Sequence, residues 1–97
     1  MKTLKQIKRK IESYKPVLKE KYRVKDISIF GSYARGEQKR NSDVDILVNF
    51  KADASLFDFM ALADFLEQRL GIDVDLVSEK GLRDELKDNI LKEAVTI

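Results

Sequence analysis

Lys25-Asp26-Ile27-Ser28-Ile29-Phe30-Gly31-Ser32, followed after ten residues by Asp43-Val44-Asp45-Ile46-Leu47-Val48-Asn49-Phe50, decides the reading of this chain. Residues 25–30 predict a short strand that Gly31 ends, and residues 43–50 predict a second. The intervening 31–42 carries two glycines, an asparagine and two serines, which predicts a loop with room for one helical turn. Side chains two apart on a strand share a face, so Asp43 and Asp45 point together while Val44 faces the core. Like charges so placed repel unless a cation lies between them, and Asp is depleted in strands. The pair therefore predicts a divalent-metal site; the plainer alternative is a solvent-facing strand start.

The same pattern recurs in Asp73-Val74-Asp75-Leu76-Val77, within a third predicted strand at 72–77. Asp73 and Asp75 share a face, so spacing does not separate them, but Asp75 sits deeper in the apolar run. Gly31-Ser32 after a strand lets the backbone come close to a ligand, and exposed amides in such a turn suit phosphate. No Gly-Lys-Ser/Thr follows, so it is not a Walker loop. Three carboxylates beside a phosphate-binding turn describe two-metal phosphoryl or nucleotidyl transfer.

Helices flank these strands. Leu4, Ile7, Ile11, Tyr14 and Leu18 recur at helical spacing, with Pro16 expected to divide them into pieces near 3–13 and 16–22. Leu56, Phe59, Met60, Ala63, Leu66 and Leu70 mark a helix over 55–70, with Ser55 and Asp58 as a capping box and Gly71 as its stop. Phe57, Leu62 and Phe65 widen that stripe, as core or as an interface. Leu82, Leu86, Ile90 and Ala94 mark a last helix soon after Gly81. The fold class is α+β: a small mixed sheet with helices packed against it, one domain over residues 1–97.

Composition narrows the chemistry. The chain has 97 residues with no cysteine and no histidine, which removes disulfides, thiolate metal sites and histidine catalysis. Any metal must take oxygen ligands, which favours Mg²⁺ or Mn²⁺. The net charge of +2 conceals ten Lys/Arg against two acids in residues 1–25, and the reverse imbalance beyond. A basic arm could attract nucleic acid, although a solvated helix face is the simpler expectation. No apolar run spans a membrane and the first residues lack a signal-peptide core, so a cytoplasmic location is expected.

Gly31-Ser32-Tyr33-Ala34-Arg35-Gly36 with Ser42-Asp43-Val44-Asp45-Ile46-Leu47-Val48, in the form GS-x10-D-x-D, resembles the DNA polymerase beta-type nucleotidyltransferase superfamily. More narrowly it resembles the minimal nucleotidyltransferases (MNT, MntA-type antitoxins), and Val74-Asp75-Leu76-Val77 matches their third-carboxylate strand. The resemblance implies the polymerase beta-like fold. It implies that Asp43, Asp45 and Asp75 are catalytic and hold two Mg²⁺ ions, with Asp75 helping to deprotonate or orient the attacking hydroxyl. It implies that Gly31 and Ser32 bind the nucleotide phosphates, with Arg35 on a triphosphate oxygen and Ser42 touching phosphate or holding a turn. Tyr33 is expected to pack, and Lys39 and Arg40 to be solvated. The implied activity is transfer of AMP from ATP to a tyrosine of a partner HEPN RNase toxin, which this chain would neutralise as antitoxin. The alternatives are a non-catalytic partner-binding module of the same fold and a subunit of a small-molecule, aminoglycoside-like nucleotidyltransferase. Nucleic-acid polymerisation is disfavoured, because no thumb or primer-binding domain fits in this length.

Overall fold

The computed structural model describes residues 2–97. Helix α1 (Leu4–Lys21) starts at a capping box: Gln6 N–H donates to Thr3 Oγ1 at 3.2 Å, and Thr3 N–H to Gln6 Oε1 at 2.9 Å. Pro16 lies inside this helix and does not end it, against the expected division into two pieces. Ile7 and Ile11 before the proline and Leu18 after it are all buried, so packing pins both halves although one backbone donor is missing.

Strand β1 (Val24–Phe30) leads into the single helical turn α2 (Gly31–Arg35), and β2 (Val44–Phe50) follows the loop. Helix α3 (Leu56–Leu70) has the expected cap, with Ser55 N–H donating to the Asp58 carboxylate at 2.8 Å, and stops at Gly71 in the left-handed region. Strand β3 (Val74–Ser78) begins two residues later than expected. A 3-10 turn at Glu79–Gly81, helix α4 (Asp84–Glu93) and strand β4 (Val95–Thr96) complete the chain. A two-residue strand carries no readable periodicity, and β4 had no sequence signal.

The sheet order is β3-β2-β1-β4, with β2 parallel to β3 and the other two pairs antiparallel. One face supplies Ile27, Ile29, Val44, Ile46 and Val48 to a core closed by Ile7, Ile11 and Leu18 of α1 and Leu62, Leu66 and Leu70 of α3. Phe65 stacks on Tyr14 and Tyr22, so it and Leu62 belong to the core. Leu56, Phe57 and Met60 do not: they are 71%, 82% and 60% exposed, so the N-terminal turns of α3 present an apolar surface. Leu86 of α4 is likewise exposed. No described helix is long and apolar enough to cross a membrane.

Candidate active site

Because Val44, Ile46 and Val48 face the core, Asp45 projects from the opposite face of β2. Sheet register then places its neighbours. Across the antiparallel pair Asp45 faces Phe30, the residue before the Gly31 bend; across the parallel pair it faces Asp75. In-register neighbours share a face, so the two strands bring Asp45 and Asp75 together. This register separates Asp75 from Asp73, which spacing had left open. Asp73 precedes β3, is exposed, and serves through its carbonyl, which accepts from Val44 N–H at 3.0 Å.

Gly31 has φ of +74°, and a Cβ there would meet Asp45 Oδ2 at 2.0 Å. Only a glycine lets the bend approach the carboxylate so closely. Asp45 is pushed up to about 6 from the ordinary 3.8, first by desolvation, then by the charge and hydrogen bonding of Asp75, then by the charge of Asp43, with Arg35 opposing. Asp43 lies one residue before β2 and is exposed; it acts on Asp45 through charge alone. Among the described residues no three acidic side chains already form a metal cage. The like charges of Asp43 and Asp75 beside Asp45 are a conflict that an oxygen-ligated divalent cation would relieve, so the donor set fits Mg²⁺.

The remaining expected residues divide. Ser32 follows Gly31 into α2, and its carbonyl accepts from Glu37 N–H at 2.8 Å. Ser42 Oγ accepts from Lys39 N–H at 2.8 Å, so it holds the turn before β2, with its own O–H still free to donate. Arg35 is raised above its ordinary pKa, first by its hydrogen bond to Glu93, and also pairs with Glu37. Tyr33 is buried and packs, as expected; Lys39 and Arg40 are exposed. Glu93 was not foreseen: it ends a polar helix, and nothing short-range in the sequence marks it. A cavity of about 830 Å³ is lined by none of the three aspartates. It lies between α1 and the loop after Ser32, with Lys2, Arg9, Lys10 and Arg40 on its walls and Tyr33 and Ile72 below.

A mixed sheet that sets strand-borne aspartates beside a glycine–serine bend defines a polymerase beta-like nucleotidyltransferase architecture. The chain belongs to the nucleotidyltransferase domain family, whose model matches residues 11–97, and is a nucleotidyltransferase of the minimal kind. It is 42% identical over 97 residues to the protein adenylyltransferase MntA of Thermococcus cleftensis, covering 100% of this chain and 98% of that one. A solved minimal nucleotidyltransferase superposes with a TM-score of 0.87 at 34% identity, covering 99% of this chain and 97% of that chain. A toxin–antitoxin crystal structure with AMP-PNP superposes at 0.71 and 30% identity, over 88% and 70% of the two chains. A chain of the solved complex of the tri-AMPylated Shewanella oneidensis HEPN toxin with MNT antitoxin shares the fold, with a TM-score of 0.70 at 22% identity over 97% of this chain and 71% of that one.

Proposed function

We propose that this chain transfers AMP from ATP to a tyrosine hydroxyl of a partner HEPN toxin, and is the antitoxin of that pair in the cytoplasm. The observation that carries this reading is Asp45 held between Asp75 and the Gly31–Ser32 bend, with Asp43 beside it. The likeness to a named protein adenylyltransferase over the whole chain supports the reaction, and the likeness to a toxin–antitoxin structure with AMP-PNP supports the nucleotide and partner.

Asp43, Asp45 and Asp75 would hold Mg²⁺, which supplies charge neutralisation for the triphosphate and a more acidic acceptor hydroxyl. The chain's own groups do the rest. The Ser32 backbone amide and hydroxyl bind phosphate oxygens, with the Gly31 N–H held by Glu93, and Arg35 and the Ser42 O–H add donors. Asp75 orients the tyrosine hydroxyl and takes its proton. The tyrosine oxygen bonds to the α-phosphorus, the bond from that phosphorus to the bridging oxygen breaks, and pyrophosphate leaves.

The test is incubation with the candidate HEPN partner and Mg-ATP, read by intact mass. The expected result is a gain of whole AMP units on the partner, lost in an Asp43→Ala/Asp45→Ala variant. Labelling that survives in that variant overturns the assignment of the metal ligands. Neutralisation of the toxin by Asp43→Asn as strong as by the wild type overturns the catalytic reading in favour of sequestration. Transfer to an aminoglycoside or to a nucleic-acid primer instead overturns the acceptor.

A further inference from the structure

The Gly31 amide and the Arg35 guanidinium converge on one carboxylate. Glu93, the last residue of α4, accepts from Gly31 N–H through Oε1 at 3.0 Å. Arg35 Nη1 donates to the same Oε1 at 3.2 Å and to Oε2 at 3.0 Å. The Gly31 N–H first, and Arg35 next, hold this carboxyl below the usual carboxylate range, so it is ionised at neutral pH.

Glu93 has little freedom to leave. Directly after it, β4 pairs Val95 with Ile29 and Thr96 with Ser28, and Ile97 N–H donates to Ile27 O at 3.1 Å. These partners lie on β1, the strand that delivers Gly31. Swinging the carboxylate aside about its side-chain torsions would break three hydrogen bonds, while the backbone that carries it stays paired to that strand; the arrangement is that of a brace. Arg35 has Nη1 on Glu93 and Nε 3.5 Å from Glu37, while Nη2 makes no hydrogen bond among the described residues. Nη1 and Nε each face a carboxylate, and only Nη2, which both edges of the guanidinium share, is left open.

We propose that Glu93 is a positioning residue for nucleotide binding: it fixes the Gly31 backbone and the Arg35 guanidinium, so that the open Nη2 meets the triphosphate without further ordering. The inference rests on reading Gly31, Ser32 and Arg35 as the phosphate-binding turn. Glu93→Gln keeps an acceptor for Gly31 N–H but turns an amide N–H toward the guanidinium. It is expected to melt close to the wild type and to raise KM for ATP about tenfold with kcat little changed, the signature of lost uniform binding. Arg35→Ala should raise KM as much, and the double variant should be no worse than Arg35→Ala alone, because the two act as one unit. Arg35→Lys, exposed and safe for folding, loses the fork and should also raise KM. An unchanged KM in folded Glu93→Gln or in Arg35→Lys, or effects that multiply in the double variant, overturns the proposal. A lower KM in Glu93→Gln overturns it too, and makes Glu93 a competitor of phosphate. Wild-type protein that binds no Mg-ATP overturns the reading of the turn itself; wild-type binding with Glu93→Gln indistinguishable from it overturns only the brace.

Discussion

Asp45 carries an electrostatic conflict that the fold tolerates. Its carboxyl rises to about 6 because the charged form is desolvated and faces Asp75 and Asp43. In the unfolded chain it titrates near the ordinary 3.8, so between these values the native state binds more protons than the unfolded one. Native stability from this group is therefore fully present below about pH 4 and is lost as the pH rises through about 6. In metal-free protein, Asp45→Asn should match the wild type at pH 4 and exceed it by about 1 kcal/mol at pH 7, after discounting for solvent screening. Urea denaturation at the two pH values, without and with Mg²⁺, measures this. Added Mg²⁺ should close the gap by stabilising only the wild type, and a gap that is the same at both pH values refutes the conflict. The variant should also lose AMP transfer, a trade of activity for stability.

Among the elements, α1 is the informative one. The proline rule argues for a break, and three buried aliphatic residues on both sides of Pro16 override it. The override costs free energy, which substitution should return. Pro16→Ala restores a backbone donor inside the helix and is expected to raise stability by about 2 kcal/mol, less than the full helix-interior penalty because the unfolded chain gains freedom too. Chemical denaturation with an unchanged slope against denaturant would confirm the direction; a destabilised variant would show that the proline fits a local distortion of α1. The opposite case is α3, whose cap and glycine stop fall where the sequence puts them, although Leu56 and Met60 of its expected stripe are exposed.

At the level of the whole molecule, the apolar surface at the start of α3 has no intramolecular use. Phe57 is 82% exposed and flanked by exposed Leu56 and Met60. Of the two readings left open for the widened stripe, the core holds for Leu62 and Phe65, and an interface with the proposed partner is expected at the exposed Phe57. Phe57→Ser is expected to leave the melting temperature within a few degrees and to weaken partner binding by about tenfold or more, as for an aromatic anchor. Titration calorimetry against the purified partner reads this, and unchanged affinity places the interface elsewhere. The basic N-terminal arm resolves into walls: Lys2, Arg9 and Lys10 flank the large cavity, away from the three aspartates.

Strands, helices and the pairing of Asp43 with Asp45 follow from local rules, because alternation, helical spacing and caps act over a few residues. So do the Gly31 bend, whose positive φ favours a glycine, and the exclusion of histidine and thiolate chemistry. Which of Asp73 and Asp75 lies beside Asp45 was open in the chain, since both share a face; the β2–β3 register sets Asp75 there. The continuity of α1, the two-residue β4, the exposure of Leu56 and Met60, and the meeting of Glu93 with Gly31 and Arg35 were also invisible there. Each depends on contacts between residues far apart in sequence. A carboxylate 62 positions away from the glycine it caps leaves no local pattern, and only the packing of α4 and β4 against β1 brings the two together.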